Sequence, residues 1–412
     1  MNAVILPGKL KGEVTAPPSK SIAHRLLILS AFADRPSVIR NAGNSEDVLA
    51  TLDCLKALGM TMVRKDSDVL VNGGIRHDGE NVILPCRESA STMRFLLPAA
   101  AVLRDRVTVY GSKRLLERGI GVYEKCFREN GIRVTVTEKA ILTEGRLSAG
   151  RYEIPGNISS QYVSGLLLAL SVCPGESRLK VTPPAESRPY ADMTAALLNQ
   201  AGAGIRNEGA DTYLIRGNAA FHGGETTVEG DWSNAAVLLA LNSLGHEVKV
   251  NGTQRNSLQG DRLCEWYLQI LQGTDAVVDL SDTPDLAPIL FAVAASGHGA
   301  LFTGTQRLAF KESNRSETMI AELAKFGIRC IPGKNSVRVF PGPLITPSGE
   351  LDGHGDHRIV MALTALCSLT GGVITGVEAV KKSYPDFFDA MKQLGMKIKL
   401  TETVCSEGDR DP

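Results

Sequence analysis

Hydrophobic and polar positions along the chain follow one layout six times. Six amphipathic stretches end at Gly59, Gly131, Gly202, Gly273, Gly327 and Gly395, and each turns apolar again within a few residues. Between them lie six strongly apolar stretches, anchored at polar residues Ser21, Ser91, Ser160, Ser233, Asp285 and His357. Both sets of markers recur about every 70 residues, apart from one shorter interval of about 50, which is too long for the common solenoid repeats. The amphipathic stretches, such as Leu49–Leu58, Tyr123–Asn130, Ile320–Phe326 and Phe387–Leu394, predict surface helices with glycine C-caps. Short strands such as Ile132–Val136 and Met396–Leu400 follow them. The apolar stretches Arg25–Phe32, Thr92–Leu103, Tyr162–Val172, Ala235–Leu244, Leu286–Ala295 and Ile359–Leu369 predict buried helices. A helix N-terminus exposes unpaired N–H groups and the positive end of its dipole. Six polar-led buried helices therefore predict an anion site.

A repeat of this length fits a βαβαββ unit, and a 412-residue chain is expected to divide into two domains. The predicted fold class is α/β (α+β), with six βαβαββ repeats arranged three per domain. The Gly-Gly pair after His222 marks a boundary before the fourth unit. The polar tail Thr401–Pro412 is expected to fray.

Composition narrows the function by exclusion. The 45 basic and 45 acidic residues cancel, and there is no basic–aromatic platform, which disfavours nucleic acid and anionic membrane as partners. Any affinity for anions must therefore be local. The eight cysteines are scattered without a CxxC pair, which points to a reduced, cytoplasmic chain with mostly buried thiols. The apolar run Ala3–Leu6 stops at Pro7, short of a signal segment, and no run reaches the roughly 18 residues of a membrane span. No metal is expected, because His354 and His357 are too few for a zinc site. Gly327–Lys334 departs from a P-loop in its glycine spacing and in having Asn335 where Ser or Thr is needed.

Candidate chemistry sits at the helix starts. Pro17-Pro18-Ser19-Lys20-Ser21-Ile22-Ala23-His24-Arg25 stops a strand, caps a helix and brackets the cap with two cations. Glu88-Ser89-Ala90-Ser91-Thr92-Met93-Arg94 offers small hydroxylated residues, and the loop Gly111–Gly121 adds Arg114 and Arg118. Ser159-Ser160-Gln161 presents three neutral donors, and Ser187-Arg188-Pro189-Tyr190 follows a predicted strand. Asp285 is expected to open the fifth buried helix. Lys311 and Arg315, four apart, are expected on one helical face beside Glu312. Asp356-His357-Arg358 carries charge into a segment so apolar that it demands partners. Lys381-Lys382 precedes the last helix. A capped helix or a solvated ion pair accounts for each of these motifs taken singly.

Taken in order, from Pro17 to Phe388, the motifs resemble the enolpyruvyl transferases, specifically the branch acting on shikimate 3-phosphate. The resemblance implies a two-domain inside-out α/β barrel, with domains at 15–221 and at 1–14 plus 222–412, a hinge near Ala16 and His222, and the N-terminal strand joined to the second domain. It implies transfer of the enolpyruvyl group of phosphoenolpyruvate to the 5-hydroxyl of shikimate 3-phosphate, on the route to chorismate. The 5-hydroxyl loses a proton as it attacks C2, and C3 gains one. The tetrahedral intermediate then expels phosphate and restores the C3 methylene.

Carried over by motif, Lys20, Ser21, Arg25, Ser159, Ser160, Gln161, Ser187, Asp285 and Lys311 would bind shikimate 3-phosphate, with Tyr190 nearby. Lys20, Ala90, Arg118, Gln161, Arg315, Arg358 and Lys382 would line the phosphoenolpyruvate site. Asp285 and Glu312, with Lys20, would be catalytic. No cofactor is implied, the partners are the two small substrates, and the chain would be a monomer. The sister branch, which uses UDP-N-acetylglucosamine, carries a loop cysteine where this chain has Lys113, and Cys126 falls inside a helical pattern. A non-catalytic anion-binding homologue is the other alternative, supported by Glu88 and Arg307, which stand where the family often has Asn. Asn314 replaces the usual Asp. Ala90 replaces the usual Gly, which implies partial tolerance of the inhibitor glyphosate.

Overall fold

The computed structural model describes residues 1–75, 79–209 and 211–402. Cys405 and the tail from 403, part of the segment expected to fray, lie outside the described residues.

The six apolar stretches are helices, Lys20–Ala31, Ala90–Leu103, Ser160–Val172, Trp232–Ser243, Ala287–Ser296 and His357–Thr370, and all but the fifth begin earlier than their apolar run. Hydropathy marks where a helix is buried and not where it starts. The start is set by the caps. The side chains of Ser19, Ser89, Ser159 and Asp356 accept from the first-turn N–H groups of Ile22, Thr92, Gln161 and Arg358, so the polar anchors Ser21, Ser91, Ser160 and His357 fall inside the first turn. Asp285 does not open an α-helix. Pro288 follows it closely, and a 3-10 turn, Pro284–Leu286, precedes the helix proper.

Five of the six glycine markers adopt the left-handed conformation expected of a C-cap, at φ from 77° to 105°. Gly273 does not. After the short helix Cys264–Ile270 the left-handed residue is Asp275, at φ 58°. The fifth repeat is therefore punctuated differently, where the interval between markers is short.

Contacts divide the chain into two compact units, Pro17–Trp232 with Gly252–Gly260, and Met1–Ala16 with Ser233–Asn251 and Asp261–Pro412. Residues 222–232 group with the first of these for a visible reason. Glu225–Thr227 pairs in parallel with Ser37–Arg40, and the Gln259 side chain accepts from Ser19 Oγ and from the Trp232 N–H.

The repeat is clearest at Arg151–Pro155, a helix, Ser177–Thr182, a helix, then Arg206–Asn207 and Thr212–Ile215. The first pair of strands is parallel and the remaining pairings are antiparallel. The same order recurs from Asn81–Pro85 and from Val277–Asp279. In the repeat that opens with Leu351–Asp352, the final strand comes from the N-terminus: Asn2–Leu6 pairs antiparallel with both Gly372–Thr375 and Lys397–Thr401. Parallel pairs need a crossover, and in these four repeats the crossover is the buried helix. Among the described residues, no helix is long and apolar enough to cross a membrane.

In the Pro17–Trp232 unit, the helices Ala90–Leu103 and Ser160–Val172 cross closely enough to require a glycine. Pro98 lacks the N–H that would bond the Arg94 carbonyl, and the Tyr123 hydroxyl, 2.7 Å away, donates to that oxygen instead. A Cβ on Gly165 would sit 2.1 Å from the Arg94 oxygen and 2.2 Å from the Tyr123 hydroxyl. Gly165→Ala should therefore cost at least about 1–3 kcal/mol, through overpacking and a displaced buried hydrogen bond. A thermal melt of the variant checks this. An unchanged midpoint would mean that the crossing relaxes freely.

Candidate active site

The Pro17–Trp232 unit joins the first three polar helix starts through hydrogen bonds. Lys20, in the first turn of its helix, reaches Asp47 with Nζ 2.8 Å from Oδ2, and its N–H donates to Asp231. Thr92 links onward through Thr51, at 2.8 Å, and through the Asp47 carbonyl. At the next helix start, Gln161 Nε2 donates to Ser91 Oγ at 2.9 Å, and Gln161 Oε1 accepts from Arg94 at 2.7 Å. Arg94 also lies over the Tyr162 ring and donates to the Arg118 carbonyl. Lys20 and Asp47 thus form an ion pair at the first helix start, and Gln161, Ser91, Arg94 and the Arg118 carbonyl form a hydrogen-bonded chain at the next two.

Arg25 occupies a different position. It is buried, its three guanidinium nitrogens donate to Thr194, the Ser21 carbonyl, Ser164 and the Tyr190 carbonyl, and the Phe95 ring lies under it. Burial lowers its pKa, against an opposing contribution from Tyr190. Arg25 ties the Ser160–Val172 and Arg188–Gln200 helices to its own. Ser187 is buried in the left-handed conformation just before that last helix, with φ 51° and no capping bond from its side chain. Glu88 and Arg114 are exposed. Cys126 is buried in the helix Gly121–Glu129, and burial pushes its thiol up to about 12, so it is no nucleophile at neutral pH. A cavity of about 380 Å3 opens against the other face of the first helix, at Ile22, Leu26 and Leu29, and none of the predicted site residues lines it.

The other unit gathers its own cluster around Arg315, whose side chain is 1% exposed. Its Nη1 donates to Asp285 at 2.7 Å, its Nη2 to Glu312 at 2.9 Å and its Nε to Asp356 at 2.8 Å. Lys311 adds a second bond to the same Asp285 oxygen, at 2.9 Å. This meeting is not built on a helical face. The helix begins only at Arg315, so Lys311 and Glu312 lie in the preceding loop, where Lys311 is extended at φ −85° and ψ −165°. A loop lets residues three and four apart converge on one point from different directions, which a helix face does not. Asp356 caps the last buried helix, and Arg358, in that helix, donates to Asn234 at 2.9 Å. Lys382 ends a 3-10 turn and donates to the Gly355 carbonyl at 3.1 Å.

The charges fix one another. Burial alone would raise the Asp285 pKa, but Lys311, Arg315 and Arg358 outweigh it and hold the carboxyl well below its ordinary range. Burial lowers the Lys311 pKa although Asp285 opposes it, and Arg315 and Arg307 lower it further. Arg315 is held well above its usual value despite burial, by Asp356, Glu312 and Asp285. Arg307, in the 3-10 helix Gln306–Phe310, is thus part of the surroundings of Lys311. Asp47, Arg94, Asn234 and Asp356 carry these clusters and were not among the predicted site residues. Only Arg94 and Asp356 left a trace in the sequence, as charges at the mouths of very apolar helices.

The family profile described as EPSP synthase (3-phosphoshikimate 1-carboxyvinyltransferase) matches residues 5–391. The 3-phosphoshikimate 1-carboxyvinyltransferases of Clostridium kluyveri and Clostridium acetobutylicum are each 35% identical to this chain. The matches cover 96% of this chain in both cases, and 97% and 98% of those proteins. A solved EPSP synthase from Acinetobacter baumannii shares the fold at a TM-score of 0.77 and 23% identity, across 97% of this chain and all of that one. With a profile match across nearly its whole length and full-length relatives above 30% identity, the chain belongs to the EPSP synthase family, enzymes that transfer enolpyruvyl from phosphoenolpyruvate to shikimate 3-phosphate.

Proposed function

We propose that the two clusters are the binding and proton-transfer machinery of that reaction. The transfer itself follows from family membership, and the residue roles are our assignment. The observation that carries it is the Arg315 cluster. A buried guanidinium holds two partly exposed carboxylates, Asp285 at 26% and Glu312 at 20%, with Lys311 beside the first. Attack by the 5-hydroxyl and protonation of C3 need two groups whose proton affinities differ. Asp285, kept ionised by its cations, and Glu312 are the two carboxylates that would carry these transfers. Lys20 completes the catalytic set. Shikimate 3-phosphate would be held by Lys20, Ser21, Arg25, Ser159, Ser160, Gln161, Ser187, Asp285 and Lys311. Phosphoenolpyruvate would be held by Lys20, Arg118, Gln161, Arg315, Arg358 and Lys382, against Ala90. Several cations and helix N-termini match the charge that both substrates carry.

Lys382→Ala tests the division. KM for phosphoenolpyruvate should rise by about tenfold or more, while KM for shikimate 3-phosphate stays within a few-fold. Equal changes in both would remove Lys382 from the assignment.

Ala90, buried behind the Ser89 cap, puts a methyl group where the family usually has none. Glyphosate is longer than phosphoenolpyruvate, so the methyl should crowd it by about 1–3 kcal/mol, or ten- to a hundredfold in affinity. Ala90→Gly should lower the glyphosate inhibition constant by that factor; an unchanged constant would rule out the steric reading. The reading also takes the chain as a cytoplasmic monomer, and light scattering of the purified protein would check the second point.

A further inference from the structure

Behind the Arg315 cluster lies a second group of charges that the reaction does not use. Glu322 is on the helix that begins at Arg315, and its side chain is only 2% exposed. It accepts from Lys325 Nζ at 2.9 Å, from the Asp352 N–H at 3.2 Å and from His354 Nε2 at 3.0 Å. Lys325 also donates to the Glu350 carbonyl, so the buried carboxylate grips the segment at several points. His354 stands at a sharp turn. It is left-handed at φ 50°, and Gly355 after it is left-handed at φ 59°. A non-glycine residue persists in that conformation only where its surroundings fix it. Here the fixing groups are Asp352, which accepts the His354 N–H at 2.7 Å, and Glu322, which holds the ring.

The turn aims two groups at the phosphoenolpyruvate cluster. The Gly355 carbonyl takes the Lys382 ammonium. The next residue, Asp356, holds Arg315 through two bonds and accepts the Arg358 N–H. We propose that His354 is a positioning residue for phosphoenolpyruvate, clamping the Asp352–Asp356 turn to Glu322 so that Lys382 and Arg358 are presented together. The inference rests on the assignment of those two cations in the proposed function. His354 reaches the substrate only through the backbone of this turn. A displacement on the order of 1 Å in such a support is enough to cost a large factor in binding or rate.

The test compares steady-state constants for His354→Ala, His354→Gln and Arg358→Ala, with thermal midpoints alongside. His354→Ala should raise KM for phosphoenolpyruvate about tenfold, leave KM for shikimate 3-phosphate within about twofold and move the midpoint little, because the ring is 32% exposed. His354→Gln, which keeps a donor toward Glu322, should recover most of the loss. The proposal is overturned if His354→Ala leaves KM for phosphoenolpyruvate unchanged, if both KM values rise together with a fallen midpoint, or if Gln restores nothing. Arg358→Ala separates the two levels. If it leaves KM for phosphoenolpyruvate unaltered, the cluster assignment fails. If it raises that KM while His354→Ala does not, only the clamp fails.

Discussion

Asp285→Asn and Glu312→Gln should each lower turnover by at least about a hundredfold, with the folded structure retained. Both substitutions keep shape and remove the titrating group, which isolates proton transfer from packing. General acid–base groups typically contribute about 10²–10⁴ in rate. Asp285 faces Lys311 and Arg315 at 2.9 and 2.7 Å and stays ionised, so its loss also takes negative charge from the buried Arg315 and the part-buried Lys311. Asp356 and Glu312 still hold Arg315 in Asp285→Asn, and Asp356 and Asp285 hold it in Glu312→Gln, so neither variant strands the guanidinium. Stopped-time phosphate assays on each variant, with circular dichroism to check folding, give the answer. Near-normal turnover in either one removes that residue from proton transfer.

Asp356→Ala should have the largest effect on stability. Asp356 is fully buried, it takes the Nε and Nη2 protons of Arg315, it accepts from Ser313 Oγ and it caps the last buried helix. Asp285 and Glu312 still compensate the Arg315 charge, but its buried Nε and the Ser313 hydroxyl lose their acceptor, which costs about 1–3 kcal/mol. Losing the cap adds about 1 kcal/mol. Asp356→Asn keeps an acceptor for the cap and for one Arg315 N–H, so it should cost clearly less. Urea unfolding monitored on both variants tests this order. Equal midpoints for Asp356→Ala and the parent chain would show that the network around Arg315 is dispensable for folding.

Much of the fold was legible because repetition multiplies weak signals. Each glycine C-cap alone is ordinary, but five of six adopt the expected left-handed turn. The exception, Gly273, falls in the short interval. Helix starts were less legible, because capping is decided by a side chain outside the apolar run; Ser19, Ser89 and Asp356 lie one or two residues ahead of the anchors that the pattern selected. The site was legible as a list of residue types and less so as geometry. Lys311, Glu312 and Arg315 read as one helical face, because their spacing fits a helix equally well. Only the three-dimensional loop shows that they meet around a shared guanidinium. Asp47 and Asn234 gave no sequence signal, since an acid in a capped first turn and an amide inside an apolar helix each have an ordinary local explanation.

The central claim is that this chain joins two substrates and releases phosphate by using both clusters. Phosphate release measured with purified protein, phosphoenolpyruvate and shikimate 3-phosphate, each omitted in turn, tests it most directly. The account predicts release only when both are present, and none when UDP-N-acetylglucosamine replaces shikimate 3-phosphate. No release with the complete mixture, or release that does not need shikimate 3-phosphate, would contradict it.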